Sequence, residues 1–212
     1  MSLDAAGLEI LRDALAAAFA VDDGGDPDVA EEIARVQDHL AVAARNTPIL
    51  PDPTRHSLTV HLTPAIEVAA ARFPALAAAL RPLYADLPWR YGYAARADLP
   101  GLENRMGWAE IVGPAAPFRS VSVCLGLTFL APDTQYPDHR HPAVELYRVV
   151  AGHPLWTVES ETRRLAPSAA VLHRSGARHA MSSGGEALLA IYSWTGDILS
   201  PSVWSEPAAP SI

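Results

Sequence analysis

The sequence predicts a mainly β protein: a small closed or sandwich-like β domain over residues 89–212, with an α-helical region over residues 1–88 packed on it. Three observations support this. The first eighty-odd residues are alanine-rich and place their apolar side chains at helical spacing. From Trp89 onward proline, glycine and aromatics increase, and short β-branched runs replace the helical period. Turn residues divide those runs at fairly even intervals, the pattern of a barrel or a sandwich. A chain of 212 residues is long enough for one substantial core, or one core with a helical appendage.

Taken in order, Leu8, Leu11, Leu15 and Phe19 share one helical face, and Gly24 and Gly25 end that segment. Asp26-Pro27 reads as an N-cap followed by proline at the first helical position. The helix it opens carries the stripe Val29, Ile33, Val36 and Leu40. Residues 46–53 form a proline-punctuated loop. Thr63-Pro64 opens a further helix through Ile66, Ala70 and Phe73, which Pro74 kinks or restarts because proline lacks the backbone donor. His39, His56 and His61 have no ligand-like partner nearby and read as surface or capping residues. Strands are expected at 109–112, 120–130, 145–150, 155–159, 169–173 and 187–194. Gly113-Pro114, Ala131-Pro132-Asp133, Ala151-Gly152, Ala166-Pro167 and Gly184-Gly185 mark the turns. The tail from Pro201 reads as a packed or frayed end.

Composition narrows the chemistry. All sixteen basic residues are arginine, which excludes Schiff-base and pyridoxal-phosphate chemistry on a protein lysine. A net charge of −8 argues against a nucleic-acid partner. Cys124, the only cysteine, lies in the apolar run VSVCLGLTFL, so it reads as a buried hydrophobe and no intrachain disulfide or cysteine zinc ribbon is expected. No segment has the length of a membrane span and the start lacks a signal-peptide pattern, so a soluble cytoplasmic protein is expected.

The chemistry concentrates in residues 136–152, YPDHRHPAVELYRVVAG. His139 and His141 alternate on one strand face, as do Glu145 and Tyr147, and Pro142 between them favours a bend that lets both pairs face one centre. Two imidazoles and a carboxylate are ligands for a divalent transition metal ion: Zn, Fe, Mn, Co or Ni. A further histidine ligand should come from a later strand. His173 and His179 are the candidates, with His153 in a turn less suited. His179 follows the turn glycine Gly176 and begins the strand-like run HAMSS.

His139, His141, Glu145 and Gly152 together match the first cupin motif, His-x-His-x3-Glu-x6-Gly, and Gly176-x2-His179 matches the centre of the second. The departures fall at turn-shaping positions. Asp133 and Ser168 stand for glycines, Arg174 for proline and Ser183 for asparagine. More narrowly, the chain resembles the cupin-type dimethylsulfoniopropionate (DMSP) lyases. Their Tyr-Pro-x-His-x-His-Pro-x-x-Glu-x-Tyr pattern is matched by Tyr136, Pro137, His139, His141, Pro142, Glu145 and Tyr147. An aromatic strand ending Trp-x-Gly-Asp follows, here Trp194, Gly196 and Asp197.

The resemblance implies a small cupin (double-stranded β-helix) barrel behind N-terminal helices. It also implies metal ligation by His141, Glu145 and His179, with His139 or Tyr147 completing the sphere. The implied reaction is β-elimination on a small zwitterionic substrate, giving dimethyl sulfide and acrylate. Tyr147 is then the base and Tyr136 orients substrate or assists proton transfer. Trp194, Tyr192 and Trp156 are the candidates for a box around the sulfonium cation. His173 is read as structural, and Arg178 as a solvent residue or a carboxylate partner. The same ligands would also suit another metal cupin, an oxygenase or isomerase, while a non-catalytic ligand-sensing cupin is the reading from a different class. The expected assembly is a monomer or homodimer.

Overall fold

The computed structural model describes residues 3–21, 25–52 and 56–205. The expectations placed on Gly24, on Pro53 and on the tail beyond Ser205 lie outside the described residues. Helix α1 (Ala5–Phe19) starts where the Asp4 side chain accepts a hydrogen bond from Gly7 N at 2.8 Å, and it buries Leu8, Leu11, Leu15 and Phe19. Helix α2 (Pro27–Ala43) starts with Asp26 accepting from Asp28 N and proline in its first turn, and it buries Val29, Val36 and Leu40.

Pro74 restarts the helix, as expected, but the helix before it ends at Ala69 rather than running through Phe73. Helix α3 (Leu62–Ala69) follows a short 3-10 turn capped by His56, and α4 (Pro74–Leu80) begins at the proline. Pro74 has no N–H to continue the ladder and pushes Phe73 out of helical geometry, to φ −127°. Phe73 stays buried in the apolar cluster that includes residues of both helices.

The β region begins at Trp89. Its strands are β1 (Trp89–Arg90), β2 (Met106–Gly113), β3 (Phe118–Arg119), β4 (Val123–Leu130), β5 (Gln135–Arg140) and β6 (Val144–Ala151), then β7 (Leu155–Val158), β8 (Glu161–Arg164), β9 (Ala170–His173), β10 (His179–Ser182), β11 (Leu188–Thr195) and β12 (Val203–Trp204). They form two sheets that close into a cupin barrel. One runs β1-β2-β4-β11-β6-β9, with β3 beside β2, and the other runs β12-β5-β10-β7-β8. The strand expected from Ser120 starts later because the Ser120 hydroxyl accepts from Ser122 N and Val123 N and holds a turn there. The tail contributes β12, which pairs with β5 beside His139.

Period-2 alternation divides the larger sheet into two faces. Leu125, Leu127 and Phe129 of β4, Leu146 and Val150 of β6, and Leu189 and Ile191 of β11 join the helices in one apolar cluster. Their alternates, among them Cys124, Tyr147, Val149, Ala190 and Tyr192, face the barrel interior with Trp156 and Met181. The helices therefore cover the outer face and share a core with it. Arg148 is fully buried on that face, where Nε donates to Phe19 O at 2.9 Å and Nη1 donates to Ser168 O at 2.6 Å. This ties the end of α1 to the turn before β9. Among the described residues no helix is long and apolar enough to cross a membrane.

Two glycines mark close backbone approaches. A Cβ on Gly126 would lie 2.3 Å from Ala109 O and 2.8 Å from the Tyr192 ring; on Gly152, at φ +90°, it would lie 2.3 Å from Ala187 O. Asp133 and Ser168, the non-glycine residues at cupin glycine positions, nevertheless adopt positive φ of 52° and 79°. Ser183 also keeps a turn-shaping role, donating to Ala131 O at 2.7 Å and accepting from Thr134 N at 2.9 Å.

Candidate active site

Strand register assembles the site. Glu145 on β6 pairs with Trp194 on β11 and with His173 on β9, so its carboxylate has an indole on one side and an imidazole on the other. His139 on β5 and His179 on β10 are paired across the second sheet. Pro142 falls in the turn between β5 and β6, and His141 precedes it. His141 Nε2 lies 3.0 Å and His179 Nε2 lies 3.1 Å from Glu145 Oε2.

The backbone fixes how these imidazoles are protonated. His139, His141 and His179 each place Nδ1 within 3.1 Å of a carbonyl oxygen, of Pro137, Ala143 and Ala177 respectively. A carbonyl only accepts, so Nδ1 carries the proton, and in the neutral form of each ring the lone pair of Nε2 turns toward the centre. Buried His179 Nε2 has no hydrogen-bond partner among the described residues. Two imidazole lone pairs and a carboxylate oxygen converge within 4.8 Å, all buried. Such an all-acceptor cluster fits a divalent cation and leaves it hard to satisfy otherwise.

Burial works against charge on Glu145, but the His141 imidazole beside it and the hydrogen bond from His173 outweigh that and hold its pKa well below the carboxylate range. Burial also opposes charge on His141, and the Glu145 carboxylate reverses this, raising its pKa. His139, buried and near His179, is held well below its ordinary value.

A cavity of about 290 Å³ opens on this cluster, lined by His139, His141, Glu145, Tyr136, Tyr147, Tyr192 and Trp194. Its wall also includes Tyr93 and Trp108, and residues 198–202 border it. Tyr147 contacts Thr128 Oγ1 at 3.4 Å, and burial together with the Glu145 charge pushes its phenol well above the ordinary range. The Tyr136 ring stacks on His139 at 3.9 Å, and its hydroxyl shares a hydrogen bond with Tyr93, which donates to Ser202 Oγ at 2.6 Å.

The sequence profile of the dimethylsulfoniopropionate lyase family matches residues 28–190. DddL of Cereibacter sphaeroides, provisionally named a dimethylsulfoniopropionate lyase, is 32% identical over 180 residues, covering 82% of this chain and 75% of DddL. The chain belongs to the dimethylsulfoniopropionate lyase family. The dimethylsulfoniopropionate lyase DddQ of Ruegeria pomeroyi is 30% identical over 120 residues, 56% of this chain and 60% of DddQ. Its crystal structure aligns over 94% of this chain and 98% of its own, with a TM-score of 0.72 and 25% identity. A structure described with the DMSP lyases RdDddP and RnDddQII shares the fold, with a TM-score of 0.75 at 24% identity over 95% and 98% of the two chains.

Within this family member, the residues singled out from sequence fall into three groups. His141, Glu145 and His179 come together as possible ligands, and His139 lies beside them without joining that group. Tyr147, Tyr136, Tyr192 and Trp194 line the cavity, and Trp194 Nε1 also donates to Glu145 Oε1 at 2.7 Å. Trp156 lies apart from both groups: it is fully buried outside the cavity lining, and its indole N–H donates to His173 Nε2 at 3.0 Å. It faces inward, as the cation box required, but lies behind Tyr147 and His173 rather than beside open space.

Arg178 pairs with Asp138, outside the cavity lining. Sequence reasoning missed Tyr93 and Trp204, whose rings stack at 4.0 Å over the Tyr136–His139 pair. Nothing in their local sequence links residue 93 to residue 204: the pairing of β12 with β5 sets Trp204 opposite His139, and Tyr93 reaches it from the connection between β1 and β2.

Proposed function

We propose that this chain is a metal-dependent lyase that cleaves dimethylsulfoniopropionate to dimethyl sulfide and acrylate. The observation that carries the reading is the convergence of the His141, His179 and Glu145 acceptors beside an aromatic-lined cavity whose wall includes His141, Glu145 and Tyr147. Membership of the family supports the substrate.

A divalent metal held by His141, Glu145 and His179 would supply a Lewis acid for the substrate carboxylate and a positive charge favouring the Tyr147 phenolate. The remaining work falls to the chain. Tyr147 takes the proton from the carbon beside the carboxylate; the C–H electron pair becomes the new C=C bond, and the C–S pair departs with dimethyl sulfide. Tyr136, hydrogen-bonded to Tyr93, would hold the substrate for that transfer. Trp194 and Tyr192 offer aromatic faces that accommodate a sulfonium without attacking it. Trp194 is fixed by its bond to Glu145, so the cation face and the ligand set are held in one register.

Purified protein incubated with dimethylsulfoniopropionate should release acrylate and dimethyl sulfide in equal amounts. Chelation should abolish the release and added divalent metal restore it. Chelator-resistant cleavage would refute metal dependence, and no cleavage by metal-replete protein would refute the substrate.

A further inference from the structure

Glu145 has a partner that metal ligation does not explain. His173 Nδ1 lies 3.0 Å from Glu145 Oε2, and His173 Nε2 lies 3.0 Å from Trp156 Nε1. An indole N–H can only donate, so His173 Nε2 must accept. The one proton of the neutral ring is then on Nδ1, where it donates to Glu145. Both His173 and Trp156 are fully buried, so water does not compete for either bond.

We propose that His173 is a positioning residue for the metal ligand Glu145, with Trp156 setting its tautomer. The inference rests on ligation by His141, Glu145 and His179 and is independent of the substrate. Its basis is the geometry of the carboxylate. Trp194 Nε1 donates to Oε1 at 2.7 Å and His173 Nδ1 donates to Oε2, so the plane of the group is held from both sides. What remains of Oε2 faces His141 Nε2 and His179 Nε2. The opposite tautomer of His173 would set its Nδ1 lone pair against Oε2, and Trp156 prevents it.

His173 also stacks on His179, with ring centroids 3.8 Å apart, so a packing role is the competing account. Zinc affinity measured without substrate, by competition with a chromogenic chelator, separates the two. His173→Leu keeps apolar bulk and removes the donor; it should weaken zinc binding about 10–100-fold, the range for losing a hydrogen-bond partner of a metal ligand. His173→Asn restores an N–H near the Nδ1 position and should recover most of that loss. Trp156→Phe, which frees the tautomer, should fall between.

Wild-type affinity in His173→Leu overturns the proposal, as does a loss in His173→Asn equal to that in His173→Leu. Should the variants fail to fold, imidazole 15N spectra of the zinc-loaded wild type decide: a proton on Nδ1 of His173 is expected, and a proton on Nε2 overturns the assignment. A wild type that binds no zinc overturns the ligand set as well. A wild type that binds zinc but leaves dimethylsulfoniopropionate intact defeats only the substrate reading.

Discussion

Glu145→Gln tests the metal centre through stability, without a substrate. In the wild type the Glu145 carboxylate accepts from Trp194 Nε1 and His173 Nδ1 while facing two imidazole lone pairs. A glutamine amide must turn its NH2 toward one of those two donors, leaving a buried N–H unpaired at about 1–3 kcal/mol.

The decisive quantity is the rise in Tm on adding metal. With free zinc buffered at about 100 times the wild-type Kd, binding stabilises the native state by about 2.7 kcal/mol. For a chain of 212 residues that is a Tm rise of roughly 5–11 °C, at about 2–4 °C per kcal/mol. If losing the anionic ligand weakens binding by about a hundredfold, the upper end of the range for losing only a ligand's partner, the same zinc stabilises the variant by about 0.4 kcal/mol. Its Tm should then rise by roughly 1–2 °C. Scanning calorimetry of both proteins with and without zinc measures this difference. An equal rise in wild type and variant would refute Glu145 as a ligand.

Three further outcomes follow from the same geometry. Tyr147→Phe should bind metal as the wild type does and lose most acrylate formation, whereas full activity would remove Tyr147 as the base. The stability of the metal-free protein should peak near pH 6.5. Below that, His139 and His173 stay neutral while their unfolded counterparts protonate, so stability falls by about 1.4 kcal/mol per pH unit for each ring, down toward pH 4 for His173. Above it, the raised pKa of His141 means that its contribution, complete below the unfolded value, is lost as the proton leaves. Bound metal should remove the upper limb, and urea titrations across pH would show it; stability rising steadily from pH 6.5 to 4 would contradict the sign. Ser168→Gly should stabilise the protein by about 0.5–1 kcal/mol, the relief of a left-handed backbone less the added entropy of glycine. A lower Tm would show that the serine makes a contact worth more than its strain.

The site was legible in sequence where its chemistry is local. His141 and Glu145 lie four residues apart around a proline, and His179 follows a turn glycine, so alternation and motif spacing place them without knowledge of the barrel. The main strands were legible for the same reason, since period 2 separates the helix-facing Leu125, Leu127 and Phe129 from cavity-facing residues. Short strands such as β1, β3 and β12 span two residues each and have no period to read. The roles of His173 and Trp156 were illegible because each depends on lateral register, Glu145 opposite His173 and the indole behind it, and no local pattern records a neighbour in another strand.

The two missing motif glycines carry a further lesson. As letters, Asp133 and Ser168 depart from the cupin pattern, yet both keep the positive φ that glycine would adopt freely. Their backbones are bonded into place, Asp133 N to Gly184 O and Ser168 N to Val149 O, while buried Arg148 holds Ser168 O. Surrounding contacts thus maintain the turn that glycine propensity would otherwise favour. Gly152 tolerates no such exchange, because a Cβ there would meet the Ala187 carbonyl at 2.3 Å. A motif position is free to vary where only the dihedral matters and neighbours can enforce it, and is fixed where the missing side chain leaves room for another strand.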